Sequence, residues 1–210
     1  MLQTPYDQGI KVPQQVSYQI DNNLYLSITD RCTLECAFCP KTLGDMSVKG
    51  YDLTFDHRPT AQEVIAAIDD PAKYDEVVFC GYGEPTLRLN VLLEVARDIK
   101  ARGGRVRVNT DGLSNLVHKH DTLPELGECV DALSVSLNAQ NQEVYDRHCR
   151  PNLPGSYPAM LEFLREAPRY IGDVTATAID GLEGVDIEAC EALAKSLGVK
   201  FRRRVLNAVG

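Results

Sequence analysis

Glu76-Val-Val-Phe-Cys80 is followed, after a glycine-rich turn, by Leu89-Asn-Val-Leu-Leu-Glu-Val-Ala-Arg-Asp-Ile-Lys-Ala-Arg102 and then by Arg105-Val-Arg-Val-Asn-Thr110. The outer two pieces are short, rich in β-branched residues and bounded by turn formers, whereas the middle piece repeats its apolar side chains at helical spacing. Strand, helix and strand in that order predict a βαβ unit. The two strands should lie parallel, joined by a right-handed crossover.

The alternation continues on both sides. Downstream, Ala132–Asn138, Asp173–Ile179 and Lys200–Leu206 read as strands. Helical patterns lie at Gln142–His148, Tyr157–Ala167 and Asp186–Leu197, with a short turn near Leu113–His118. Upstream, Thr60 with Glu63 three residues later has the form of a capping box, opening a helix that stops before Pro71. Val16–Ile20 and Leu24–Thr29 flank Asp21-Asn22-Asn23, a turn-forming cluster, so the chain is expected to enter through a β-hairpin. Six strands of parallel type are countable. A closed eight-unit barrel takes about 250 residues. A chain of 210 therefore predicts an α/β fold built as a partial (β/α)6 TIM-like barrel with an N-terminal β-hairpin, an open doubly wound sheet being the alternative. No repeat or Gly/Ser-rich linker divides the sequence, which predicts a single domain over 1–210, with 1–15 a poorly ordered extension. In either architecture ligands gather beyond the carboxyl ends of the strands.

Lys plus Arg number 22 against 30 Asp plus Glu, a net charge of −8. That balance supplies no overall field for collecting polyanions, so nucleic acid is an unlikely partner and a small molecule or short peptide the expected one. No apolar run reaches the roughly 20 residues of a bilayer span, and the N-terminus lacks the basic and apolar regions of a secretory signal. A cytoplasmic, membrane-free protein is expected.

Seven cysteines are present, and three crowd into Arg31-Cys32-Thr-Leu-Glu-Cys36-Ala-Phe-Cys39-Pro40, just past the first parallel strand. Thiolates are the usual ligands of iron–sulfur clusters, and a C-x3-C-x2-C loop can wrap three of them around one cubane, leaving one iron open. Structural zinc would want a fourth ligand from a second Cys or His pair. The nearest candidates, His118 and His120, have the wrong spacing.

With Phe38 just before the last cysteine, this motif resembles that of the radical S-adenosylmethionine (SAM) superfamily. The resemblance implies a [4Fe–4S] cluster held by Cys32, Cys36 and Cys39, with SAM chelated at the open iron. One-electron cleavage of SAM to methionine and a 5′-deoxyadenosyl radical follows from the same resemblance. Phe38 would pack near the adenine. Phe79-Cys80-Gly81-Tyr82-Gly83-Glu84-Pro85-Thr86 is similar to the superfamily's Gly-Gly-Glu-Pro motif, which implies that Gly81, Gly83 and Glu84 meet the SAM amino group. Tyr82 stands where the motif has glycine.

Period two puts Ser134, Ser136 and Asn138 on one face of their strand. A strand buried on both sides should be nearly all apolar, so this row predicts a ligand-holding lumen. The resemblance assigns Ser136 and Asn138 to SAM contacts, and Asn109 and Thr110 to the pocket. Tyr25, Ser27 and Thr29 repeat the polar pattern, as do Thr175 and Thr177. Arg202 and Arg204 share a face, with Arg203 opposite, and an arginine aimed inward could clamp a carboxylate or phosphate. Cys80, Cys149 and Arg204 are candidate catalytic residues, the two cysteines as hydrogen-atom donors or substrate contacts, whereas Cys129 and Cys190 read as structural.

Tyr74–Leu89, Val108–Gly112, Ser134–Asn138 and Asp186–Cys190 further resemble the short TatD-associated radical SAM proteins, encoded beside a TatD-type hydrolase. The resemblance implies an external electron donor such as flavodoxin or ferredoxin. The chain ends at Gly210, close after the last strand, and its size resembles glycyl-radical activases and the deazaguanine synthase of the queuosine pathway. A radical enzyme acting on a small molecule or short peptide is expected. The alternatives are an activase, a deazaguanine synthase-like ring contraction enzyme and a non-catalytic module that binds the cluster or SAM.

Overall fold

The computed structural model describes residues 14–206. Strands β1 (Ser17–Ile20) and β2 (Asn23–Leu26) form the expected hairpin, with Asp21 in the left-handed region that such a turn requires. Strands β3 (Ser47–Val48) and β4 (Tyr51–Asp52) make a separate small hairpin, and helix α1 spans Ala61–Ala66. The chain continues through β5 (Val77–Phe79), α2 (Leu89–Ala101), β6 (Val106–Thr110), α3 (Ser114–His118), α4 (Leu123–Gly127) and β7 (Ala132–Ser136). It closes with α5 (Gln142–Cys149), α6 (Ser156–Glu166), β8 (Asp173–Asp180), α7 (Ile187–Ser196) and β9 (Lys200–Val205).

One seven-stranded sheet runs in the order β1-β2-β5-β6-β7-β8-β9, antiparallel only between β1 and β2. The six parallel strands are those expected from the alternation, and β1 and β9 form the two edges. The N-terminal extension expected over 1–15 lies almost wholly outside the described residues. Among the described residues, no helix is long and apolar enough to cross a membrane.

The alternation of side chains organises both faces. Leu24, Leu26, Val77, Phe79, Val106, Val108, Leu133 and Val135 turn outward into the main core, where α2 adds Leu92, Val95, Ala96 and Ile99. Full burial of each larger aliphatic side chain contributes about 1.5–3 kcal/mol, so this face carries most of the stability. Tyr25 and Val78 turn inward instead, joining Tyr18 and Leu53 in a second, smaller cluster. The β3–β4 hairpin packs there: Tyr18 lies between Tyr25 and Tyr51, at ring-centroid distances of 5.4 and 5.6 Å.

Several boundaries differ from the sequence expectation. The capping box at Thr60 is formed, but α1 stops at Ala66, because Pro71 cannot continue a helix and the Asp70 carboxylate instead caps a new 3-10 turn at the Ala72 N–H. Strand β7 ends at Ser136, where Asn138 adopts a left-handed φ of 59°. The β3–β4 hairpin and α4 are additional: strands of two residues and a helix of five carry too little periodicity to be read from sequence.

Candidate active site

The three cysteines lie on the loop leaving β2, at the carboxyl ends of the parallel strands. Leu34 forms an isolated bridge with Pro151. The N–H groups of Glu35 and Ala37 donate to the carbonyls of Cys149 and His148, at 3.1 and 2.8 Å, and the Asn152 N–H donates to the Thr33 carbonyl at 3.0 Å. The connection after α5 thus clamps the cysteine loop. On its other side, the Glu84 N–H donates to the Arg31 carbonyl at 2.7 Å, and the Thr33 hydroxyl donates to Asp111.

Cys32, Cys36 and Cys39 are half-buried free thiols, with Phe38 packed against the main core. Burial pushes the Cys32 thiol up, and the nearby carboxylates of Asp111 and Glu84 add to that. Cys36 is raised first by its hydrogen bond with the Cys149 thiol and then by burial. Both would have to lose their protons to bind metal, so their thiolates become favourable only with a cationic partner. Among the described residues, no three His, Cys, Asp or Glu side chains converge tightly enough to hold a single metal ion. A cubane makes a different demand, since each thiolate binds a separate iron and the sulfurs surround the cluster rather than meet at a point. The donor set, three thiols on one clamped loop, fits such a group.

Beneath the loop sits a buried carboxyl pair. Glu84 accepts hydrogen bonds from the Thr86 N–H (3.0 Å), the Thr86 hydroxyl (2.6 Å), the Thr110 hydroxyl (2.8 Å) and the Asp111 N–H (2.7 Å). Burial, followed by the Asp111 carboxylate, pushes Glu84 up to about 8. Asp111 is raised as well, by burial first. The Glu84 carboxylate therefore ties β5 to β6 and caps the 3-10 turn Pro85–Arg88, with its lone pairs largely taken by the chain itself.

The two glycines beside it answer a packing need. A Cβ on Gly81 would stand 2.4 Å from the Ser27 Oγ, and one on Gly83 would stand 2.2 Å from the Thr29 carbonyl oxygen. They let the turn lie directly on the chain leaving β2, which brings the glycine–glutamate turn against the cysteine loop. Tyr82, between them, donates its hydroxyl to the Ser47 carbonyl and so tethers the β3–β4 hairpin to this turn.

The remaining expected residues separate by face. Asn109 points inward, accepting from Arg107 Nη1 at 3.1 Å, whereas Thr110 points to Glu84. Adjacent strand residues cannot share one pocket wall. Ser136 is half-buried at the end of β7. Asn138 is buried, its amide donating to Cys149 Sγ at 3.5 Å while its Oδ1 has no partner. The Ser27 hydroxyl, next to Gly81, and the Tyr145 hydroxyl, near Cys149, Asp111 and Cys36, are buried without partners too. Orphaned buried polar atoms around one loop mark a place prepared for a polar ligand. Cys80 lies in the inner wall, where burial raises its thiol against the opposing pull of Asn109, Arg107 and Arg204. Cys149 is fully buried against Cys36, a position set by the clamp and invisible to spacing alone. Asp111, Thr33 and Tyr145 were not singled out from sequence. Arg107 was not singled out either, although period two along β6 puts it beside Asn109 on the inner face.

Comparison with known proteins agrees with this geometry. The family model described as "Radical SAM superfamily" matches residues 26–197. A tungsten-containing aldehyde ferredoxin oxidoreductase cofactor-modifying protein of Pyrococcus furiosus is 32% identical over 123 residues, covering 55% of this chain and 30% of that protein. A probable GTP 3′,8-cyclase of Thermococcus kodakarensis is 30% identical over 167 residues, covering 79% and 50%. The chain thus spans half or less of these curated relatives. In fold it is similar to Streptococcus suis SuiB bound to its precursor peptide SuiA, with a TM-score of 0.67 at 12% identity, over 91% of this chain and 40% of that one. With the family model spanning most of the sequence, and the cysteine loop and glycine–glutamate turn both inside the matched span, the chain belongs to the radical SAM superfamily, whose cofactors are a [4Fe–4S] cluster and SAM.

Proposed function

We propose that this chain is a radical SAM enzyme that removes a hydrogen atom from a small molecule or short peptide held in the lumen of the partial barrel. One observation carries the reading: three thiols on a clamped loop, the glycine–glutamate turn and the unpartnered Oδ1 of Asn138 meet at one mouth of the sheet. A cluster bound by Cys32, Cys36 and Cys39 would supply one-electron cleavage of SAM to the 5′-deoxyadenosyl radical. The chain's own part is to hold and shield. The clamp from His148–Asn152 fixes the loop, and Phe38 packs beside it as the expected adenine contact. Gly81 and Gly83 set the turn close to β2, with Glu84 acting from below as the brace that keeps turn and strand ends together. Asn138 and Ser136 offer polar groups toward the ligand. Tyr18, Tyr25 and Tyr51 pack along the β1–β4 side and exclude water there.

The electron comes from an external donor of the flavodoxin or ferredoxin class, and the setting is the cytoplasm. The stretches Tyr74–Leu89 and Ser134–Asn138 support a functional link to a TatD-type hydrolase as the finer assignment. Anaerobic reconstitution with iron and sulfide, reduction, and mass-spectrometric detection of 5′-deoxyadenosine test the reading. Turnover of SAM by the wild type, absent from Cys36→Ala, is expected. A reduced cluster that leaves SAM intact would leave only a binding module.

A further inference from the structure

The opposite end of the lumen has a chemistry of its own. Where the parallel strands begin, a cavity of about 230 Å³ opens between Arg107, Ser134, Thr175 and Arg202, with Glu76 and Asp173 on its rim. Strand register explains the convergence. Arg107 lies inward on β6, and on β9 Arg202 and Arg204 turn inward while Arg203 pairs outward with Asp180. Arg204 reaches the neighbourhood of Cys80 in the inner wall.

Counting charge decides what this end attracts. Arg107 and Arg202 line the cavity together with Glu76 and Asp173, and three further cations, Arg105, Lys200 and Arg204, stand beside them. Glu76 is shared by Arg107 (2.7 Å) and Arg105 (3.2 Å), and Asp173 by Arg105 (3.1 Å) and Lys200 (3.0 Å). Among the described residues, Arg202 and Arg204 have no ion-pair partner. Burial, and then the guanidinium groups of Arg107 and Arg204, hold Arg202 below its ordinary value. Over the whole chain the net charge is −8, so this local surplus of positive charge runs against the composition. Guanidinium groups match phosphate and carboxylate oxygens in a planar, bidentate fashion.

We propose that the lumen end lined by Arg107 and Arg202, with Arg204 next along the same face of β9, binds the anionic group, phosphate or carboxylate, of the substrate. This rests on the enzymatic reading above, in which the substrate occupies the lumen, and it gives that substrate a chemical class. The anion sits at the strand starts and the rest of the molecule extends up the polar row of Ser134, Asn109 and Ser136 toward the cysteine loop. Glu76 holds Arg107 extended, and Asn109 receives its second nitrogen, so that one cation is pre-positioned before ligand enters.

Titration calorimetry on the reconstituted protein, with pyrophosphate and citrate as separate probes, tests this. Saturable binding of at least one probe is expected, weakened about tenfold or more in Arg202→Gln/Arg204→Gln and unchanged in Arg203→Gln. Preference for pyrophosphate identifies a phosphorylated substrate, and preference for citrate a carboxylate. Phenylglyoxal modification of the wild type, mapped by mass spectrometry, gives an independent readout should the double variant fold poorly. The bound probe should protect Arg107, Arg202 and Arg204 but not Arg203. Absence of saturable binding, or equal weakening by Arg203→Gln, overturns the proposal. SAM cleavage by the wild type is scored separately, so an inert cluster with intact anion binding condemns the enzymatic reading alone, and the converse condemns the anion site alone.

Discussion

The two faces of the seven-stranded sheet are made from the same strands and differ in almost every chemical respect. Outward, Leu26, Phe79, Val108 and Val135 meet the helices in a continuous apolar layer; inward, Tyr25, Cys80, Asn109 and Ser134 leave polar atoms and charges around a lumen. Folding free energy comes from the first face, and the second gives some of it up to hold polar groups that only a ligand would satisfy. Substitutions on the two should therefore separate cleanly, in stability on one side and in cofactor or ligand binding on the other.

The largest effect is expected at the mouth. Cys36→Ala should abolish the visible absorbance of the cluster after anaerobic reconstitution while leaving the far-ultraviolet circular dichroism in place. Next is Leu92→Ala on the outer face, where a fully buried side chain leaves a cavity: a loss of about 2–5 kcal/mol in chemical denaturation is expected, with cluster ligation retained. Glu84→Gln lies between the faces. The amide keeps the volume but replaces one acceptor oxygen by an NH2 donor that faces the donors of Thr86, Thr110 and Asp111, at a cost of about 1–3 kcal/mol. Its pH dependence gives a second reading. Glu84 rises in the folded state from an ordinary 4.5 to about 8, so the native protein holds its proton more tightly than the unfolded chain does. Stability from this group is complete at pH below 4.5 and declines as pH rises toward 8, and Glu84→Gln should flatten that decline in urea titrations at successive pH values. The smallest effect belongs to Arg203→Gln, an exposed outward pair with Asp180, expected to cost less than about 1 kcal/mol and to leave both binding functions intact.

What could be read from the sequence follows the same division. All six parallel strands announced themselves as short β-branched or alternating runs bounded by turn formers, the entry hairpin through its Asp21-Asn22-Asn23 turn, and α2 and α7 through helical spacing, because burial on a sheet or helix face imposes such patterns locally. The cysteine triplet and glycine–glutamate turn were legible for a similar reason: their chemistry is compressed into a few consecutive residues. The clamp that joins Glu35 and Ala37 to His148 and Cys149 was not, since it brings together segments more than a hundred positions apart through backbone atoms that every residue possesses. Glu84 shows the intermediate case. Its place in the motif was evident, whereas the donors from Thr110 and Asp111 that help occupy its carboxylate emerge only when β5 and β6 lie side by side. The glycines likewise were expected at the SAM amino group from the motif, whereas the close approach of Ser27 and Thr29 that excludes a Cβ there emerges only in the folded chain.

Electron paramagnetic resonance of the reduced, reconstituted protein with and without SAM tests the central claim most directly. Three thiolate ligands with one open iron predict a [4Fe–4S] signal whose g-values change when SAM is added. A cluster spectrum indifferent to SAM, or no paramagnetic cluster after reconstitution of correctly folded protein, would contradict it.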